Sequence, residues 1–127
     1  MRVVTAAELE KTLDYARLIE RLRDLFRTGC ETPLRHHHKI KTPGADGNLL
    51  LMPSWQSGGR MGIKIVTLFP DNVSAGLPSV IANYLLMDAK TGAPLAMLDG
   101  VELTSRRTAC ASALAADYLA RPDAFAC

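Results

Sequence analysis

The chain has 127 residues, 48% of them hydrophobic and 22% charged, which is one domain of ordinary globular composition with enough length to bury a core. A formal net charge of +2 supplies no electrostatic case for a nucleic-acid partner. Cys30, Cys110 and Cys127 form neither a CxxC pair nor an even disulfide framework, residues 1–15 hold no secretory apolar stretch, and no apolar run approaches the ~20 residues of a membrane span, so a cytoplasmic protein is expected.

Residues 5–28 read as helical. Thr5 and Glu8 have capping-box spacing, and Leu9, Leu13, Leu18, Leu22, Leu25 and Phe26 carry an apolar stripe. Asp14 is placed to cap a second helix within this stretch, and Gly29 to stop it. Residues 33–41 alternate in a strand-like way, and 43–48 are a turn cluster. The apolar run 49–53 fits a buried strand, and 55–59 is another turn. Residues 60–70 alternate: Ile63, Ile65, Thr67 and Phe69 fall on one face, Lys64, Val66 and Leu68 on the other. Residues 71–79 are a loop. Residues 80–100 read as a hairpin whose connection runs from Asp88 to Pro94, with Thr91-Gly92 at its turn. Residues 103–119 read as a helix with Thr104 as its N-cap, ended by Pro122. The expected fold class is α+β: N-terminal helices, an antiparallel-rich meander sheet, then a C-terminal helix.

Lys64 is a hydrophilic residue on an otherwise apolar strand face. It either snorkels from an edge strand or sits in a cleft, where desolvation would tune its amine for acid/base work. Arg107 has Leu103 four residues before it and Ala111 four after, so the usual helical ion pair is missing. It is either an unpaired surface arginine or an anion reader at a helix N-terminus, with Thr108 adding a hydroxyl. Arg106 diverges from Arg107 by about 100° and points elsewhere. The small residues within 109–116 allow close helix packing. In a strand, His36 and His38 share one face and His37 the other. No Cys or carboxylate nearby completes a tetrahedral set, so no metal is expected. Asp46, Asp71, Asp88 and Asp99 are read as turn residues.

The segments "GIKIVT" and "LDGVELTSRRTACASALAADYLARPD" together resemble the ornithine cyclodeaminase/mu-crystallin family, and the likeness extends over essentially the whole chain. The resemblance implies a two-domain, NAD- or NADP-dependent homodimeric enzyme. This chain would be its substrate-binding and dimerisation domain, stopping where a Rossmann domain should begin. Carried over residue by residue, Lys64 would contact the substrate carboxylate or assist proton transfer. Arg107 and Arg35 would clamp the same carboxylate, Arg107 and Thr108 would lie near the dinucleotide phosphates, and Ser79 near the nicotinamide. Leu50 stands where ornithine-processing members carry a carboxylate, which tilts the substrate toward a cyclic imino acid and the activity toward ketimine reduction. The alternative is a non-catalytic small-molecule-binding or dimerisation module of the mu-crystallin type.

Overall fold

A computed structural model describes residues 1–121. In chain order the elements are β1 (Arg2–Val4), α1 (Ala6–Thr12), α2 (Tyr15–Thr28), β2 (His36–Ile40), β3 (Gly47–Trp55), β4 (Arg60–Leu68), a 3₁₀ turn (Pro70–Ala75), β5 (Val80–Asp88), β6 (Pro94–Asp99) and α3 (Gly100–Leu119). The strands form one six-stranded sheet in the order β1-β6-β5-β4-β3-β2. From β2 to β6 it is the expected antiparallel meander. β1 was not expected, and it pairs parallel to β6, so the sheet is mixed. Three residues are too few for a period-2 signal, and their pairing partner lies more than ninety residues away.

Local chemistry sets the helix ends. Thr5 and Glu8 close a reciprocal capping box on α1. The Asp14 carboxylate accepts the Arg17 backbone N–H at 3.0 Å, which starts α2 as a separate helix. α2 stops at Gly29. α3 begins earlier than its small-residue body indicates. Asp99, not Thr104, is the N-cap, accepting the Glu102 backbone N–H at 2.8 Å. Thr104 lies inside the helix, and its hydroxyl donates to the Gly100 carbonyl. The physical reason is that an Asp carboxylate is a stronger N-cap than a threonine hydroxyl and suits the positive end of the helix dipole. Pro122 lies outside the described residues; the helix ends at Leu119.

Register assigns the sheet faces. Met52, Lys64 and Tyr84 lie directly opposite one another across β3, β4 and β5. They share a face with Val66 and Ala82, which are buried. α3 packs on that face. A Cβ on Gly100 would stand 2.6 Å from the Ala82 carbonyl carbon and 2.7 Å from the Asn83 nitrogen. Leu9, Cys110 and Leu114 complete the core on this side. The opposite face carries Leu49, Leu51, Ile63, Ile65, Ile81 and Leu85. Its members are only partly covered, and Ile81 is 41% exposed.

Arg106 ties the helices together. It is buried, its Nε donates to Glu102 at 2.6 Å and a terminal nitrogen donates to the Leu13 carbonyl at 3.0 Å. Its guanidinium lies 4.7 Å from the Tyr15 ring centre. One turn of α3 is thereby fixed against the α1–α2 junction. The divergence from Arg107 seen in the sequence is a division of labour between a packed arginine and an exposed one.

Candidate functional site

β4 places Lys64 at the floor of the helix-bearing face, between Met52 and Tyr84. Its side chain is half-buried. Burial pushes its amine below the ordinary lysine pKa, and the cations of Arg107 and Arg35 push it further in the same direction. Arg107 from α3 and Arg35 from the approach to β2 therefore each lie within electrostatic reach of Lys64 on β4. Among the described residues no carboxylate pairs with any of the three.

That cluster is unfavourable by itself. With the folded-state pKa lowered, the folded protein disfavours protonated Lys64. The cost is present in full below that lowered pKa and disappears above the ordinary lysine value of about 10.4. An anion placed among the three reverses the balance, because it supplies the missing partner in a partly desolvated setting.

Arg107 stands away from the helix N-terminus at which the sequence-based anion reading placed it. The first-turn amides of α3 belong to residues at and after Gly100, and Arg107 lies about two turns further on, roughly 10 Å along the axis. The helix N-terminus is therefore not next to its guanidinium, and the Asp99 carboxylate already occupies it. The remaining anion argument is convergence with Lys64. Arg35 precedes β2 by one residue, and extending the β2–β3 register by one step sets it beside Met52, in the same row as Lys64. Thr108 is exposed on α3 next to Arg107. Ser79 is not brought to Lys64. Its carbonyl accepts the Phe69 N–H at 2.8 Å, five residues along β4 from Lys64, or roughly 16 Å.

The histidines lie on the edge strand β2, all exposed. His37 Nε2 and Asn48 Oδ1 are 2.7 Å apart, with roles set by the tautomer. Among the described residues no group of three or more His, Cys, Asp or Glu could hold a metal ion. No helix among them is long and apolar enough to cross a membrane.

Two residues near Lys64 carry no sequence signal. Met52 and Tyr84 become its neighbours only through strand register. Tyr84 is half-buried, and burial raises its phenol pKa, with a smaller contribution from Cys30. A Cβ on Gly62 would collide with the Tyr84 hydroxyl, so the phenol end lies over Gly62. Beyond it, the Cys30 thiol is held below its usual range by hydrogen bonds with Ser54 and Thr32. A separate groove between α2 and α3, of about 360 Å³, is lined by Arg23, Phe26, Leu114 and Tyr118. None of the three cations lines it.

The model of the ornithine cyclodeaminase/mu-crystallin family matches residues 1–126. The fold is similar to that of Thermococcus litoralis Δ1-pyrroline-2-carboxylate reductase in complex with NADH and L-proline. The TM-score is 0.79 at 38% identity, over 97% of this chain and 39% of that one. It is similar to an archaeal alanine dehydrogenase dimer with bound NAD, with TM-score 0.81 and 31% identity over 97% and 38% of the two chains. It is also similar to a lysine cyclodeaminase whose structure addresses recognition of L-lysine, L-ornithine and L-2,4-diaminobutyric acid. There the TM-score is 0.77 and the identity 32%, over 97% and 39%. The chain spans about two fifths of the length of these relatives.

Proposed function

The chain belongs to the ornithine cyclodeaminase/mu-crystallin family, and from that membership we propose that it is the substrate-binding and dimerisation part of an NAD- or NADP-dependent enzyme that reduces a cyclic imino acid. The observation that carries this reading is that Arg107 and Arg35 both act on the half-buried Lys64 amine, with no carboxylate paired to any of the three among the described residues. Such a site takes the α-carboxylate of an amino or imino acid. Arg107 supplies a planar fork, and Lys64 a compact charge on the floor.

The exposed Arg107 and Thr108 also suit an anionic edge of a dinucleotide, as a guanidinium beside a hydroxyl donor. Ser79, so far along the sheet, would reach a cofactor only at a different part of its length. The dinucleotide, when bound, supplies hydride to the imine carbon. The residues of this chain hold the carboxylate, orient the C=N group, and offer a proton from Lys64 Nζ, whose lowered pKa brings it closer to the working range of a general acid. Leu50, opposite Val66 and His37, places no carboxylate for a distal amine, which favours an imino acid over a diamino acid. Support for the chemistry comes from the reductase with its NADH and L-proline.

The direct test changes the substrate rather than the protein. In the full-length enzyme, replacing the carboxylate of Δ1-pyrroline-2-carboxylate by its uncharged amide should lower kcat/KM by about 100-fold or more, since two or more charge-assisted hydrogen bonds are lost at ~1.5–3 kcal/mol each. Equal turnover of acid and amide would end the carboxylate assignment.

A homodimer is part of the same proposal. The sheet face away from α3 is apolar and only partly covered, and a second copy would bury it. The archaeal alanine dehydrogenase relative is described as a dimer. Sedimentation at micromolar concentration should give the dimer mass, and substituting Ile63 and Ile65 by Lys should shift it to monomer. A wild-type monomer under those conditions would contradict the proposal.

A further inference from the structure

Tyr84 is the residue opposite Lys64 on β5, and nothing in the carboxylate site uses it. Its phenol lies over Gly62, where a side chain would collide with the hydroxyl. Beside it is a partly open hollow of about 210 Å³, whose lining includes Leu25, Ser54, Arg60, Gly62, Tyr84 and Leu86. Tyr84 thus neighbours both Lys64 and that hollow. We propose that Tyr84 sets the size of the substrate's carbon frame: with the carboxylate held at Lys64, its ring is the wall that limits the imino acid to a small ring and keeps it out of the hollow. This rests on the carboxylate site described above and adds a specificity-determining residue to it.

The wall is the aromatic ring, and its hydroxyl plays no part in the selection. The space Gly62 leaves is what lets the ring lie down, and the hollow beside it has room to take the carbon atoms of a larger substrate once the ring is removed. One methylene in an apolar pocket is worth about 10–200-fold in kcat/KM. The unmutated full-length enzyme should therefore prefer the five-membered Δ1-pyrroline-2-carboxylate over its six-membered homologue by at least that lower factor.

The test is the ratio of kcat/KM for the two rings. Tyr84→Ala should shift it toward the six-membered ring by about 10-fold or more, and Tyr84→Phe should leave it within about twofold of wild type. Tyr84→Leu, which keeps an apolar side chain, should move the ratio in the same direction as Tyr84→Ala and serves if the alanine variant does not fold. Discrimination between acid and amide substrates should persist in every variant. An unchanged ratio in both Tyr84→Ala and Tyr84→Leu, with acid–amide discrimination intact, would overturn the role of Tyr84 and leave the carboxylate site standing. Loss of the ratio in Tyr84→Phe would overturn the assignment to the ring. No turnover of either ring by the unmutated enzyme would overturn both this proposal and the reductase reading.

Discussion

Replacing Gly100 by alanine should be among the most damaging single substitutions in the protein. Thermal denaturation should show a large fall in the midpoint. Gly100 is the first residue of α3, where alanine is ordinarily better than glycine by up to about 1 kcal/mol. Here the added methyl would sit 2.6 to 2.8 Å from the carbon, nitrogen and oxygen atoms of the Ala82–Asn83 peptide. Backbone in the middle of a sheet cannot swing aside as a side chain tip can, so α3 must lift from β5. Overpacking of this kind costs about 1–3 kcal/mol and sometimes more, which exceeds the propensity gain. Lifting α3 also moves Arg107 away from Lys64, so activity should fall along with stability. A midpoint within two degrees of wild type would mean that α3 sits less closely on the sheet than the structure shows.

The second large effect is on activity, and it runs opposite in stability. On the proposed carboxylate assignment, Lys64→Ala and Arg107→Ala in the full-length enzyme should each lower kcat/KM by about 10- to 100-fold, since each would remove a charge-assisted hydrogen bond to that carboxylate. Together they should cost less than the product of the two, because on that assignment they would share one ligand group. Arg107→Lys should recover little, since an ammonium cannot reproduce the two-pronged contact of a guanidinium. Lys64→Met should not lower the melting midpoint, and below the lysine titration range should raise it, because the folded protein disfavours the Lys64 charge. A residue kept for packing alone would lose stability when replaced. Near-wild-type kcat/KM in both alanine variants would remove Lys64 and Arg107 from the site.

Much of this architecture is legible in the sequence. The capping box at Thr5 and Glu8, the break at Asp14, the period-2 pattern around Lys64 and the hairpin connection from Asp88 to Pro94 are local signals, each carried by residues within a few positions of one another. Two cations of the proposed site also stand out in the chain, because Arg107 lacks a helical ion partner and Lys64 breaks an apolar strand face. What was misread lies where a local rule competes with a distant contact. Thr104 resembles a cap, but Asp99, coming off β6, is the stronger acceptor and starts the helix a turn sooner. The divergence of Arg106 from Arg107 is legible in the chain, but its partners are not: only the α1–α2 junction makes Arg106 a buried clamp beside an exposed Arg107.

The sequence alone thus determined the fold class, the family resemblance and the cationic residues worth watching, because periodicity, capping and charge are properties of neighbours in the chain. Only the tertiary structure decided that Arg107 and Arg35 come within electrostatic reach of Lys64, that Tyr84 stands opposite Lys64 with Gly62 making room for it, and that one sheet face is apolar and only partly covered. Those are matters of strand register and helix placement. A shift of one residue in pairing would turn every side chain of a strand to the other face, and nothing short of the folded sheet fixes which face Lys64 shares and with whom.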